Sequence, residues 1–458
     1  VNPRANRHLQ PAGATGATGA TGAPRSIARY GRSPSVREVP CATVTVTFDD
    51  LAGATMKLRQ HPLETSAWLE VAAILHALGN TDDAELAFAT IGEAARAGGQ
   101  VALAVACARH LTDLGSVRGP ELIEQIIETY ATGGPHFTFS PPRTRAATEP
   151  PQLDDPIDDP VAEARMVIER YGEWLVSRQA TPVPPAPLLS ALSPSGARAL
   201  TGVMTARAFP AGSMIIEVDE PASALFWIAH GTVAITRNTT TKPVDQTELE
   251  DWAVLGELHS GAFFGEIALV GGTRRTARVT ACDDVWVLEI PARAIATAAA
   301  KHPKLAEVLA FHARARLLAN LLRTSELFRA LGEDDREALL AKFSTELVPA
   351  GVRFIQEGTH NEHLWVVVAG HCEVRTAGGS IAELGPGAAV GEISLVSGEK
   401  AVADVVAVEP AVLLRLSKQD FEAVAKKHPK LLAEVQRMVI ARETANRALF
   451  QDASDLIV

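Results

Sequence analysis

The sequence predicts an α+β multidomain chain: N-terminal α-helical hairpins followed by two tandem β-barrels with flanking helices. Three observations predict it. Residues 48–132 carry apolar side chains at helical spacing, interrupted by glycine-containing stops. From residue 188 onward the pattern changes to short runs of Val, Ile, Phe and Trp between turn signals, which suits a barrel or sandwich. Those short runs then occur twice, in the same order.

The 458 residues suggest two to four domains, and 47% hydrophobic with 21% charged residues is a globular balance. A net charge of −11 argues against a general nucleic-acid binder, because that affinity comes from Lys and Arg neutralising phosphates. No apolar run approaches the ~20 residues that span a bilayer, and the N-terminus has no apolar leader core. Cys41, Cys107, Cys282 and Cys372 lie too far apart for a zinc or redox pair. Reduced thiols and a cytoplasmic location are expected, with no membrane partner and no metal.

Taken in order, residues 1–45 read as a disordered arm. The Ala-Thr-Gly repeat from Ala14 to Ala23 has no apolar face, and six arginines against Glu38 give the arm +5, leaving −16 on the rest. Residues 46–132 form the helical domain, with helices at Ser66–Gly79, Asp82–Ala97, Val101–Leu114 and Pro120–Tyr130. Residues 133–187 read as a proline-rich linker holding one helix, 161–178. Residues 188–325 and 326–446 are the two barrel domains, and 447–458 a tail.

The repeat defines the barrels. Phe209-Pro210-Ala211-Gly212 matches Val348-Pro349-Ala350-Gly351, and Gly231 matches Gly370, at an offset of 139. Gly265-Glu266-Ile267 matches Gly391-Glu392-Ile393, and Lys301-His302-Pro303-Lys304-Leu305 matches Lys427-His428-Pro429-Lys430-Leu431, at 126. The 13-residue difference falls in one hairpin, Asn238–Asp251, shortened to Gly378-Gly379. Loops tolerate such changes and strands do not. In the first copy strands are expected at Met214–Val218, Ala224–Ala229, Thr232–Arg237, Trp252–Leu258, Arg278–Ala281 and Val285–Ile290, and a closing helix at Lys304–Leu322.

Two resemblances follow from these residues. Trp68, Leu75, Ala84 and Phe88 fall where a tetratricopeptide-type hairpin places its packing residues, which implies a protein-binding helical domain. Phe264-Gly265-Glu266-Ile267-Ala268-Leu269, with Arg275-Thr276-Ala277 ten residues on, resembles the phosphate-binding cassette of the cyclic nucleotide-binding domain. The resemblance covers residues 188–445. It implies a jelly-roll-like fold and a ligand, cAMP or cGMP, held by Phe264, Gly265, Glu266, Ile267, Ala268, Arg275 and Thr276.

The chemistry of these residue types agrees. A cyclic nucleotide presents one anionic phosphodiester, which an arginine can grip with a two-pronged, charge-assisted pair. Its free ribose 2′-hydroxyl can donate to the Glu266 carboxylate. Arg275-Thr276 is similar to a pair that cGMP-binding kinases use against guanine, although cAMP domains carry it too. The bland alternative is that Glu266 and Arg275 form a surface ion pair worth little. Phe311 and His312 on the closing helix are candidates to cover the base. One departure is Val218-Asp219, where the family has Glu-Gly in a left-handed turn.

The second copy holds Gly391, Glu392, Ile393 and Ser394, but Ala401 stands at the arginine position, with Lys400 beside it. A lysine lacks the planar fork, so this domain is expected to be degenerate, serving as a lid or docking face. The layout is similar to the regulatory subunit of cAMP-dependent protein kinase, which implies a non-catalytic sensor whose ligand changes domain packing and the binding of a protein partner. Arg143-Thr144-Arg145-Ala146-Ala147 is the one loosely basic linker segment at which that family keeps its pseudosubstrate. Two alternatives stand beside this reading: an interaction scaffold with dead nucleotide sites, or a catabolite-activator-type regulator without its DNA-binding domain. Specific DNA binding is not expected. No phosphate-loop, H-E-x-x-H or G-x-S-x-G motif points to catalysis.

Overall fold

The computed structural model describes residues 46–132, 149–177, 186–238, 252–324, 342–377 and 379–427, together with residue 339 and several positions between 432 and 440. The basic arm, Arg143–Ala147, most of the long hairpin and the tail lie outside the described residues.

Helix α1 (Phe48–Gln60) starts on a reciprocal cap: the Thr47 hydroxyl accepts from the Asp50 N–H, and the Asp50 carboxylate accepts from the Thr47 N–H. Helices α2 (Thr65–Ala77), α3 (Thr81–Ala97), α4 (Val101–Asp113) and α5 (Arg118–Tyr130) follow on short turns. Small residues set how closely they pack. A Cβ on Gly92 of α3 would lie 2.5 Å from the Leu122 Cδ2 of α5 and 3.1 Å from the Cys107 Cβ of α4. Helix α6 (Pro160–Ser177) does not stand alone in a linker. Its apolar stripe, Val167, Ile168 and Tyr171, is buried, Arg165 pairs with Asp83 at 2.6 Å, and Gly172 crosses against Thr90. An 18-residue amphipathic helix has a face to cover, and the bundle covers it.

Two short helices, α7 (Pro187–Ser190) and α8 (Pro194–Thr201), lead to the first repeat: β1 (Thr205–Phe209), β2 (Met214–Ile216), β3 (Ala224–His230), β4 (Thr232–Asn238), β5 (Trp252–His259), β6 (Phe263–Phe264), α9 (Glu266–Gly271), β7 (Arg278–Ala281), β8 (Val285–Pro291), α10 (Ala292–Lys301) and α11 (Pro303–Thr324). The second runs β9 (Ser344–Val348), β10 (Arg353–Ile355), β11 (His363–Ala369), β12 (Cys372–Thr376), β13 (Gly379–Leu384), β14 (Ala389–Val390), α12 (Glu392–Ser397), β15 (Asp404–Ala407), β16 (Ala411–Ser417) and α13 (Lys418–Lys427).

The strands of each repeat form two four-stranded antiparallel sheets. Their orders are β1-β8-β3-β6 with β2-β7-β4-β5, and β9-β16-β11-β14 with β10-β15-β12-β13. The two copies are therefore identical in topology, strand for strand. Beyond the expected strands, each copy has a leading edge strand (β1, β9) and a two-residue strand before the cassette (β6, β14). The first is half polar and the second too short to show a period.

One face of each main sheet is an apolar dock. In the first copy Leu225, Trp227, Leu288 and Ile290 join the helical layer in one continuous core, with Trp286 of β8 against Phe88 and His110, each at 5.9 Å. Helix α4 is buried over nearly its whole length because it lies between its neighbouring helices and this sheet. In the second copy the counterparts Leu364, Val366, Leu414 and Leu416 pack with Ile267 of α9 and with Ala313 and Leu317 of α11. Among the described residues no helix is long and apolar enough to cross a membrane.

Candidate functional site

The first cassette is α9 and the loop that carries it to β7. Gly265 caps the helix at φ 89°, a left-handed conformation, and a Cβ there would lie 2.6 Å from Arg275 Nη1 and 3.2 Å from the Ala224 carbonyl. Only glycine lets the loop lie this close to the guanidinium. Arg275 is buried; its Nη1 donates to the Gly265 carbonyl (3.0 Å) and its Nη2 to the Ala224 carbonyl (2.6 Å). The guanidinium also stands 5.9 Å from the Phe226 ring. Desolvation pulls its pKa down to about 10, which still leaves it charged at neutral pH. Two of its five N–H groups hold the loop, and the fork retains others that an anion can engage.

Glu266 is 1% exposed. Its Oε1 accepts from Arg316 Nη1 of α11 at 2.6 Å, and the same nitrogen donates to the Phe263 carbonyl at 2.7 Å. Its Oε2 is buried without a hydrogen-bond partner among the described residues. Burial pushes its pKa up, and Arg316 opposes that. A surface ion pair between Glu266 and Arg275 is thus not what the fold builds: both groups are buried, and Glu266 pairs with the closing helix instead.

Of the other expected residues, Phe264 stacks on Phe226 (5.2 Å, 12°) under the cassette, and Ala268 is buried. Ile267 turns away into the core shared with α11 and the second domain. Phe311 is 70% exposed, while His312 packs edge-on to Phe263 at 4.8 Å. Asp219 takes the left-handed turn at φ 64° despite its side chain. Its N–H donates to the Arg275 carbonyl at 2.9 Å, and the Asp219 carbonyl accepts from Arg274 Nη1 at 2.6 Å.

Two arginines of this site escaped sequence reasoning, Arg316 and Arg237. Arg237 of β4 is 7% exposed and its Nε donates to the Thr276 carbonyl at 3.3 Å. Its Nη2 is buried with no hydrogen-bond partner among the described residues, and desolvation lowers its pKa to about 10. A buried cation without a carboxylate is costly unless something else pairs with it. The available signal was positional: Arg237 sits on an inward position of a strand otherwise alternating Val233, Ile235.

The second cassette repeats the backbone. Gly391 caps α12 at φ 91°, Glu392 is buried, Ser394 is buried and Ile393 half-buried. Lys400 is exposed, and its backbone bridges to His360. Ala401, Val402 and Thr376 stand where the first copy has Arg275, Thr276 and Arg237.

Comparison with known proteins agrees with this architecture. The family described as "Cyclic nucleotide-binding domain" matches twice, at residues 206–302 and 345–428. A cyclic nucleotide-gated potassium channel of Mesorhizobium japonicum is 31% identical over 27% of this chain and 30% of its own length. A cGMP-dependent protein kinase of Caenorhabditis elegans is 26% identical over 46% of this chain and 25% of the kinase. A cAMP-dependent protein kinase regulatory subunit of Candida albicans is 23% identical over 51% and 47% respectively. The chain spans less than half the length of each of these relatives. Among solved structures, the regulatory domain of Toxoplasma gondii PKA with cAMP is 17% identical, covering 56% of this chain and 92% of that one at a TM-score of 0.26.

Proposed function

Because the chain carries two cyclic nucleotide-binding domains, we propose that it is a non-catalytic sensor whose first domain binds one cyclic nucleotide and prefers cGMP. Arg275 grips the phosphodiester with the part of its fork that the loop carbonyls leave available. Glu266 Oε2, the buried oxygen without a partner, accepts the ribose 2′-hydroxyl. Arg237 and Thr276 face the base. Guanine presents two acceptors, O6 and N7, on one edge and pairs with an arginine in bidentate fashion, whereas adenine presents a donor at N6. The buried Nη2 of Arg237, unpartnered among the described residues, is the observation that carries the preference.

The response runs through Glu266. Its second oxygen is bonded to Arg316, which belongs to α11, and α11 packs with Ile267 against the second domain. A ligand that engages Glu266 therefore biases the closing helix, provided that it binds one arrangement of α11 more tightly than the other. We assign partner binding to the helical layer, whose core is continuous with the first sheet. Calorimetry of the intact chain with cGMP and cAMP tests the reading: one site and tighter cGMP are expected. No binding of either nucleotide refutes the sensor, and tighter cAMP refutes the role of Arg237.

A further inference from the structure

The second cassette lacks its arginine, yet its loop is held as closely as the first. In the first domain Asp219 N–H bonds the Arg275 carbonyl and Arg275 N–H bonds the Glu220 carbonyl, both at 2.9 Å. In the second, Gly358 N–H bonds the Ala401 carbonyl and Ala401 N–H bonds the Thr359 carbonyl, both at 2.8 Å. Ala401 is thus the structural counterpart of Arg275, and a methyl group replaces the guanidinium. The two carbonyls that Arg275 satisfies, Gly265 and Ala224, have Gly391 and His363 as counterparts.

Both of those carbonyls accept from a single group, the Asn361 side-chain amide. Its Nδ2 donates to His363 at 2.6 Å and to Gly391 at 3.2 Å. A Cβ on Gly391 would lie 2.5 Å from this nitrogen, as one on Gly265 would lie 2.6 Å from Arg275 Nη1. The counterpart of Asn361 in the first domain is Ala222, whose side chain cannot donate. The two domains have therefore exchanged partners: Ala222 with Arg275 in one, Asn361 with Ala401 in the other.

We propose that Asn361 is the residue that closes the second site, holding its cassette with a neutral side chain of the protein so that the domain needs and admits no nucleotide phosphate. The inference rests on reading Arg275 as the phosphate anchor. Orphaned carbonyls at the junction of loop and strand cost free energy, so a donor has to be present. Arginine supplies two N–H groups to the loop and keeps others for an anion. An amide has only two N–H groups, and both are engaged here. The amide also carries no charge. The second domain then keeps a fixed shape whether or not nucleotide is present, which suits a platform. Its Val412 lies under Gly271 of the first cassette, where a Cβ would approach it to 2.8 Å, and its Glu409 faces Arg274 at 3.9 Å.

Hydrogen exchange and calorimetry on the full chain test this together. Asn361→Asp keeps the size but removes the donors, and Asn361→Ala restores the residue of the first domain. Each is expected to speed amide exchange at residues 391–395 by about tenfold, with 265–269 unchanged. Unchanged exchange at 391–395 in both variants overturns the proposal. In an Arg275→Ala background, which removes the first anchor, Ala401→Arg alone is expected to bind no cAMP or cGMP, because Asn361 already occupies the carbonyls the new arginine needs. Adding Asn361→Ala is expected to give one site. Equal behaviour of these two variants, bound or unbound, overturns the proposal. A wild-type chain that binds neither nucleotide refutes the anchor role of Arg275 instead, and the exchange comparison still decides what Asn361 does.

Discussion

The two cassettes share a backbone and differ in what fastens it. In the first, a buried arginine reaches from the cassette to the strand and keeps hydrogen-bonding capacity for an anion; in the second, an asparagine in the loop before β11 reaches to the strand and the cassette and keeps none. The lesson is that loss of an arginine does not by itself show a loosened domain. The same carbonyls still find a donor, and the fold survives while the chemistry changes. The difference extends outward. Arg237 and Thr276 of the first domain become Thr376 and Val402 in the second, so the proposed anchor and the residues proposed to face the base change together.

Arg275 is where the comparison breaks most severely. Arg275→Ala is expected to weaken cGMP binding by about a thousandfold, since it removes a charge-assisted fork and orphans two carbonyls. Lys400→Ala is expected to leave affinity and a stoichiometry of one unchanged. Calorimetry of both variants measures the contrast, and an affinity loss in Lys400→Ala of similar size erases it.

Arg237→Leu comes next. It is expected to weaken cGMP by about 10- to 100-fold with little change for cAMP, the range for one bidentate base contact. Removing a buried cation that has no carboxylate partner among the described residues is also expected to raise the melting temperature of the ligand-free chain. A uniform loss for both nucleotides, or a drop in melting temperature, shows that Arg237 is a structural group.

Much of this contrast was legible from residue order. The repeat offsets of 139 and 126 place Ala401 opposite Arg275, and the hydrogen-bond pairs at Asp219 and Gly358 agree with them. Short strands were legible where both faces are buried, as at β3 and β11, because a continuous apolar run between turn signals marks them. The edge strands β1 and β9 were not, since an edge strand with one wet face mixes polar and apolar residues as a loop does. Asn361 and Arg237 were illegible for another reason. Each is an ordinary polar residue until the fold brings it to a carbonyl many positions away, 30 in sequence from Asn361 to Gly391 and 39 from Arg237 to Thr276. Helix α6 was read as a linker helix because nothing local records the groove that receives it.

Arg316 sharpens the comparison at the level of the response. Arg316→Met keeps length and loses the bond to Glu266. A several-fold weaker cGMP affinity is expected, about 1 kcal/mol for one charge-assisted hydrogen bond to a buried carboxylate. The larger effect is on coupling: ligand-dependent exchange protection in α11 and at Val412 is expected to vanish while protection of 265–269 persists. Persistence of both signals shows that the cassette reaches the second domain without the closing helix.

The smallest expected effect concerns the two docking faces. The first sheet receives the helical layer through Trp286, Phe88, His110 and His76, with the two imidazoles 5.5 Å apart. The second presents Val412 at the position of Trp286 and receives Gly271 instead. Burial, reinforced by His76, pulls the His110 pKa down to about 4. A histidine held neutral in the fold contributes stability above its unfolded pKa of about 6.5 and loses it as pH falls toward 4. Between pH 7 and pH 6 the loss is about 0.7 kcal/mol, seen as a falling melting temperature in the wild type. His110→Phe fills the site with an apolar ring and is expected to flatten that slope. Exchange should quicken first in α4 and β8 as the pH drops, with β16 lagging behind. Simultaneous loosening of β16 means that the two faces unfold as one unit, and the separate use of one dock for the helical layer and the other for the cassette then fails.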